Sequence, residues 1–291
     1  LFRSGPDDGE HGQVAELEQL QPFLDDLYAA CALQGLPVRT AISEYAPGQV
    51  ELTLEHRFDA LQAIDEGVRY KRLVKGVANK HGLQACFMAK PFSDQAGSGM
   101  HLHVSLADEQ GHNLYASEDP QGTPLLRHSI GGMMATLFDS LAIFCPHANS
   151  YRRFQTGSYA PLAKSWGVNN RTVSFRVPGG PAISRHIEHR ICGADANPYL
   201  AAAALLAGIH HGITHQSDPG AAIVGNGYEQ ATDFLPTDWL TALQALERST
   251  WAREALGAEF LKVFLAIKWR EFRQFNAEVG EQDWRWYLTH A

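Results

Sequence analysis

The chain is poor in cysteine and has no long apolar run. Its 291 residues include four cysteines, each standing alone in the sequence. No two of them have the spacing of a zinc finger, and their number is too low for a disulfide scaffold. We therefore interpret them as buried thiols of a cytosolic protein and expect a cytoplasmic location. No run of about 18 apolar residues occurs, so the sequence contains no candidate transmembrane helix and we expect no membrane partner.

Basic residues are also in deficit. Twenty-four Lys and Arg stand against 32 Asp and Glu, which gives a formal net charge of -8. This balance disfavours binding to nucleic acid or to an anionic membrane surface, and we expect neither. The hydrophobic fraction of 45% is enough for a substantial core. Without repeats, low-complexity segments or a clear domain boundary, the chain is that of a globular protein.

A glycine-rich turn runs straight into a strand with two histidines. This segment, GSGMHLHVSL, spans residues 97–106. Because side chains alternate along a strand, His101 and His103 share one face while the aliphatic side chains occupy the other. The glycines permit unusual backbone angles or close approach of a ligand. The pattern is typical of an ordinary hairpin and half-buried strand, but it also suits a strand that offers imidazoles to a polar cavity.

Hydrophobic periodicity predicts the order of the other elements. Helices are predicted over residues 16–33, 58–79, 125–144, 199–213, 237–246 and 259–276. Strands are predicted over residues 38–45, 50–54, 84–90, 171–176 and 186–191, besides the histidine strand. A turn at residues 46–49 joins the first two strands into a hairpin. The hairpin and the two-sided polar strands favour an α+β fold over a parallel one, with a curved antiparallel sheet, a partial barrel, and helices on its outer face.

Charged residues on the polar strand faces form two sets. One contains the carboxylates of Glu44, Glu51 and Glu188 and the imidazole of His101, an oxygen-rich set that suits Mg²⁺ or Mn²⁺ better than structural zinc. The other consists of arginines suited to an anionic substrate, namely Arg153, Arg171, Arg176 and Arg190. These charges are costly to bury unless metal ions and phosphates neutralise them. Spacing alone is equally compatible with surface ion pairs.

Four motifs in one order resemble the catalytic domain of the glutamine synthetase family. They are EYAPGQVEL at 44–52, KPFSDQAGSGMHLHVSL at 90–106, NNRTVSFRVP at 169–178, and RHIEHR through GADANPYLAAAALLAG at 185–208. Their order and spacing match the family from about residue 16 to the end of the chain. The form RHIEHRICGAD, with His186 where the family has a nucleotide-site arginine, resembles the γ-glutamylpolyamine (γ-glutamylputrescine) synthetase branch.

The resemblance implies an activity and a role for each candidate residue. ATP would phosphorylate the γ-carboxylate of glutamate, and a nitrogen nucleophile would displace phosphate from γ-glutamyl phosphate. Two divalent cations, Mg²⁺ or Mn²⁺, would bind the phosphates, one held by Glu44 and Glu51 and the other by His101 and Glu188. The remaining implied contacts are Arg171 and Arg176 with the phosphoryl group, Gly97, Arg153 and Arg190 with glutamate, and His103 and Ser105 with the nucleotide.

The chain departs from the family pattern at the substrate. Tyr159 stands where ammonia-using members carry a flap glutamate, and a phenol lacks the negative charge that captures ammonium at neutral pH. Ala96 replaces an asparagine that contacts glutamate, and Trp166 is expected to add an apolar wall. We therefore favour a ligase that joins glutamate to an organic amine such as putrescine, with Tyr159 in the substrate site. A true glutamine synthetase and a non-catalytic homologue are the alternatives.

The resemblance also bears on domains and assembly. Residues 1–15 are expected to form an exposed loop, and residues 16–291 the catalytic domain. The family's N-terminal β-grasp domain and its Glu-x-Glu metal-binding strand are not found in these 291 residues, so we expect the chain to be part of a longer protein. Family members form double rings, which implies a dodecameric homo-oligomer.

Overall fold

The computed structural model describes residues 14–289, with side chains from Leu17 onward. The helices are α1 (Val14–Gln19), α2 (Gln21–Leu33), α3 (Ala60–Lys80), α4 (Pro124–Ala135), α5 (Leu137–Phe144), α6 (Pro198–His215), α7 (Gly227–Gln230), α8 (Trp239–Arg248), α9 (Thr250–Leu256), α10 (Ala258–Ala277) and α11 (Glu281–Tyr287). The strands are β1 (Val38–Ser43), β2 (Val50–Leu54), β3 (Leu102–Val104), β4 (Trp166–Val168), β5 (Phe175–Val177) and β6 (Ile187–His189). The expectation of an α+β fold is confirmed.

Two of the predicted helices are broken. The helix predicted over 125–144 is interrupted at Thr136, whose hydroxyl donates to the carbonyl of Gly132 one turn earlier. Gly132 lies where α4 presses against α6, and a Cβ there would overlap the backbone of Gly212. The helix predicted over 16–33 is likewise divided at Leu20 into α1 and α2. The first break lies near the contact between α4 and α6, and hydrophobic periodicity does not predict contacts between helices.

The strands form two sheets. The predicted hairpin is confirmed, because β1 and β2 pair antiparallel as a separate two-stranded sheet. The four-stranded sheet has the order β3-β6-β5-β4 and is open. Within it β4 runs parallel to β5, whereas the other pairs are antiparallel. The expectation of a purely antiparallel sheet is therefore wrong.

Two of the predicted strands do not form as expected. The segment 84–90 forms no named strand, and at its end Asn149 exchanges hydrogen bonds with both main-chain groups of Lys90. The strand predicted over 171–176 begins only at Phe175. Before it, the carboxamide of Asn170 accepts from the amide and hydroxyl of Thr172 and holds a turn. The local hydrogen bonds of Asn170 compete with strand pairing at this point.

Two apolar cores support these elements. The larger core joins the four-stranded sheet to helices α4, α5, α6, α8 and α10, and the smaller one packs α2 and α3 against the hairpin. Cys31, Cys145 and Cys192 are buried as expected, while Cys86 is half-buried. Of the helices between residues 14 and 289, none has both the length and the apolarity needed to span a bilayer. The predicted exposed loop over 1–15 lies outside the described residues except for its last two, which already belong to α1.

Candidate active site

Glu188 is the centre of the charged cluster. It lies on β6, where its neighbours across the sheet are His103 on β3 and Arg176 on β5, so the three side chains share a face. Its Oε2 accepts from Arg176 Nη1 at 2.9 Å, and its Oε1 accepts from Arg190 Nη1. The side chain is 3% exposed. Burial by itself raises the pKa of Glu188, but Arg190, the histidines and Arg176 outweigh it and lower this pKa to about 2.

His101 approaches the same carboxylate from the glycine turn. Its Nδ1 lies 3.2 Å from Glu188 Oε1. Burial and the nearby Arg190 lower the pKa of His101 to about 3, so its ring is neutral at pH 7. A neutral imidazole is the form in which histidine binds a metal ion.

The two hairpin carboxylates face this cluster. Burial is the main cause that raises the pKa of Glu51, and the charges of Glu44 and Glu188 raise it further. Glu51 is thus close enough to Glu44 and to Glu188 to be repelled by both, an arrangement that a divalent cation would relieve. Between residues 14 and 289, however, no three acidic, histidine or cysteine side chains stand together as a ready-made metal site. The chemistry of the donor set fits a cation, although Arg176 and Arg190 occupy the oxygens of Glu188.

The glycine turn is held from both sides. Gln49, in the hairpin turn, donates from Nε2 to Gly97 O and Ser98 Oγ, both at 3.0 Å. A Cβ on Gly97 would lie 2.6 Å from Ala89 O and from Arg153 Cγ, so this position has no room for a larger residue. The absence of a side chain at Gly97 is therefore required by packing, and its contact with glutamate stays a prediction.

Arg153 is buried beneath the turn. Its guanidinium donates to the carbonyls of Cys192 at 2.8 Å, Arg190 at 3.3 Å and Ile191, and its side chain packs on Gly97. Arg153 is only 4% exposed. In this conformation it clamps the backbone after β6, and its predicted contact with glutamate stays a prediction.

His103 and His186 form a directed pair. His186 Nδ1 lies 2.6 Å from the carbonyl of Ser184 and therefore donates to it. The Nε2 of His186 is hydrogen-bonded to His103 Nδ1 at 3.0 Å. Ser105 follows the end of β3 and is exposed. The contacts of His103 and Ser105 with a nucleotide stay predictions.

Tyr159 stacks on a residue that the sequence analysis missed. Its ring lies 5.3 Å from that of Tyr45, at an interplanar angle of 26°, and the two phenols are hydrogen-bonded. Tyr159 has a left-handed φ of 55°. Its carbonyl accepts from Arg190 at 3.4 Å, while Tyr228 donates to the next carbonyl, that of Ala160, at 3.0 Å. Tyr45 directly follows Glu44 in the first motif. This adjacency is the feature of the sequence that could have indicated a place for Tyr45 in the site.

Arg171, Arg176 and Trp166 differ in environment. Arg176 Nη2 donates at 2.7 Å to Asn169, which has a left-handed φ of 49°. Arg171 lies on the turn before β5 and lines a cavity together with Tyr159. The expectation that Trp166 forms a wall for the substrate is wrong, because it is 2% exposed and its indole donates to Gly220 O in the core.

Comparisons with known proteins agree with this architecture. The model of the glutamine synthetase catalytic domain matches residues 4–287. The chain is 39% identical to gamma-glutamylputrescine synthetase of Escherichia coli (strain K12), over 99% of this chain and 62% of that protein. It is 36% identical to gamma-glutamylethanolamide synthetase of Streptomyces coelicolor (92% and 57%) and 35% identical to glutamate–isopropylamine ligase of a Pseudomonas species (87% and 56%). The chain thus spans about three fifths of the length of these curated relatives.

A solved structure shares the fold. The ADP complex of GmaS, in its first conformation, superposes with a TM-score of 0.90 at 29% sequence identity, over 98% of this chain and 68% of that one. The ligand-free form of GmaS gives 0.89 at 30% identity, with the same coverage.

Proposed function

Because the chain belongs to the glutamine synthetase family, we propose that it carries out ATP-dependent ligation of the γ-carboxylate of glutamate to an organic amine, such as the diamine putrescine. A γ-carboxylate oxygen attacks the γ-phosphorus of ATP, and ADP leaves. The amine nitrogen then attacks the acyl carbon of γ-glutamyl phosphate, phosphate leaves, and the nitrogen loses a proton. Supporting relatives are named for putrescine, ethanolamide and isopropylamine products or substrates, each built on an alkyl amine.

The observation that carries the choice of an amine over ammonia is the stacked pair of Tyr45 and Tyr159. The two residues are 44% and 43% exposed, so they offer an aromatic surface without a carboxylate beside the charged cluster. Such a surface packs well against methylene groups but has no negative charge for a bare ammonium ion. An alkyl amine gains from this contact, whereas ammonia does not.

The proposal includes two divalent cations, Mg²⁺ or Mn²⁺, per site. Glu44 and Glu51 would hold one, and His101 and Glu188 the other. The raised pKa of Glu51 and the lowered pKa of His101 support this set, because a cation would favour both the ionised carboxylate and the neutral imidazole. Bound cations would neutralise phosphate charge and favour phosphoryl transfer.

In the proposed reaction the arginines would bind the anionic groups of the substrates. Arg171 and Arg176 would contact the transferring phosphoryl group, and Arg153 and Arg190 the carboxylates of glutamate, with the backbone of Gly97. Nε of Arg176 and of Arg190 is buried without a hydrogen-bond partner among the described residues, so neither guanidinium has all its donors satisfied by its present contacts. His103 and Ser105 would contact the nucleotide.

We also propose the finer features of the assembly. Residues 16–291 form one catalytic domain around a curved sheet of partial-barrel type, and the protein assembles as a homo-oligomer, a double ring of twelve subunits. Exposed apolar side chains between residues 279 and 288 support assembly, since burial against another subunit would remove them from water. They are Val279, Trp284, Trp286, Tyr287 and Leu288.

The test is phosphate release by the full-length protein with glutamate, ATP and Mg²⁺ or Mn²⁺, in the presence of ammonia, putrescine, spermidine or ethanolamine. We expect an organic amine to stimulate release and ammonia to be a poor substitute. Turnover with ammonia alone would identify a true glutamine synthetase. No metal-dependent ATP turnover with any nitrogen donor would favour a non-catalytic homologue.

A further inference from the structure

A cavity of about 550 Å³ opens beside Tyr159. Its size lies in the range of sites for small ligands. One part of its lining is aliphatic and comes from Val168, Ala222, Ile223 and Val224. Among its lining residues only two carry a charge, Arg171 and Asp119. A ligand that matches this lining has an apolar middle. Its end near Arg171 is uncharged, and its end near Asp119 is cationic.

Asp119 has an available oxygen. Its Oδ1 accepts from the amide of Gln121 at 2.9 Å, within the loop that carries both residues. Its Oδ2 lies 3.7 Å from Arg127 Nη1, which already donates to Gly122 O at 2.9 Å. The side chain of Asp119 is 55% exposed. Arg127 therefore pairs with Asp119 only loosely, and the carboxylate retains negative charge toward the cavity.

Arg171 has the opposite effect on an amine. A nearby cation disfavours the protonated form of an amine, so a nitrogen close to Arg171 is more readily present as the neutral nucleophile. A nitrogen close to Asp119 is favoured as ammonium. The cavity lining would thus distinguish the two ends of a diamine, and its aliphatic residues and the ring of Tyr159 would face the methylene chain.

We propose that this cavity is the amine subsite and that Asp119 selects amines with a second, distal ammonium group. The inference rests on the proposed ligase activity and specifies its substrate class as an alkyl diamine. Among the amines for which the relatives are named, Asp119 would favour putrescine, which has a second nitrogen. Ethanolamine has a hydroxyl instead, and isopropylamine has no second polar group. Asp119 is a specificity residue here and takes no part in the chemical steps.

The test compares two amines of the same chain length in matched variants. Values of kcat/KM are measured for putrescine and for n-butylamine with the wild type, Asp119→Asn and Asp233→Asn. Asp233 is a fair control, since its side chain is 54% exposed and its partner is Lys164, outside the cavity lining. We expect Asp119→Asn to lower kcat/KM for putrescine about fivefold, the scale of a partly exposed ion pair. The value for n-butylamine, and both values for the control, should stay unchanged.

Calorimetric binding of the two amines to the same variants separates this inference from the proposed function. Turnover with putrescine that Asp119→Asn leaves unchanged, or lowers equally for both amines, overturns the diamine subsite and keeps the ligase. Preferential binding of putrescine that is lost in Asp119→Asn, without any turnover, supports the subsite and overturns the ligase. Equal binding of both amines together with no turnover overturns both.

Discussion

Replacing Glu188 by glutamine tests whether its charge holds the candidate site together. The carboxylate is buried, and its folded-state pKa of about 2 lies well below the ordinary value of 4.5. This difference corresponds to about 3 kcal/mol of folding free energy. Glutamine keeps the size and one acceptor oxygen but leaves the guanidinium groups of Arg176 and Arg190 without an anion. We expect the free energy of unfolding to fall by about 3 kcal/mol at pH 7, within the range for breaking a buried ion pair.

The pH dependence identifies the cause. Because the folded pKa of Glu188 is lower than the unfolded one, its contribution is complete above about pH 5 and is lost as pH falls toward 2. Urea denaturation at fixed protein concentration, from pH 7 to pH 3.5, should show the wild type and Glu188→Gln converging by roughly 1 kcal/mol. Glu254→Gln, at an exposed position on α9, should stay within about 0.5 kcal/mol of the wild type at each pH. A gap of constant size would refute the reasoning, since a packing defect has no such titration.

Three further predictions concern the turn and the flap. Gly97→Ala places a methyl group against Arg153, so we expect the free energy of unfolding to fall by about 1–3 kcal/mol in urea denaturation; Gly76→Ala, in open space on α3, should raise it by about 0.5–1 kcal/mol. Gln49→Ala removes both hydrogen bonds to the turn and should cost about 1–2 kcal/mol in the same assay, and an unchanged midpoint would show that the hairpin is not held there. Tyr159→Glu adds a carboxylate at the flap and should raise kcat/KM for ammonia roughly tenfold in phosphate release, while a value no higher than that of the wild type would contradict the amine proposal.

Elements marked by local chemistry were predictable from the sequence. The helix predicted over 199–213 is found as α6, which begins at Pro198 with the Asn197 side chain as its cap. The hairpin followed from the turn at residues 46–49 and the alternation on either side of it. In these segments the residues that decide the conformation are neighbours in sequence, so periodicity and capping rules contain the needed information.

The missed elements depend on partners far away in the chain. Strand β4, which contains the buried Trp166, forms by pairing with β5. Its three residues alone do not predict a strand. The stacking of Tyr45 on Tyr159 joins two loops more than a hundred residues apart. Arg153 could be recognised as important, but sequence reasoning could not show that its guanidinium lies among main-chain carbonyls. Such placements follow from tertiary packing and are not encoded in local propensity.

The shared use of Glu188 links the two charge sets that the sequence analysis treated separately. Its oxygens accept from Arg176 and Arg190, whereas under the proposed function it would also be a ligand of a divalent cation. A cation bound to this carboxylate competes with both guanidinium groups for the same lone pairs, and a guanidinium that loses its carboxylate partner inside the protein must find another anion. Under the proposed function that anion is a phosphoryl or carboxylate group of the substrates. Cation and anionic substrate should therefore favour each other's binding, because each removes the cost that the other creates by separating Glu188 from its arginines.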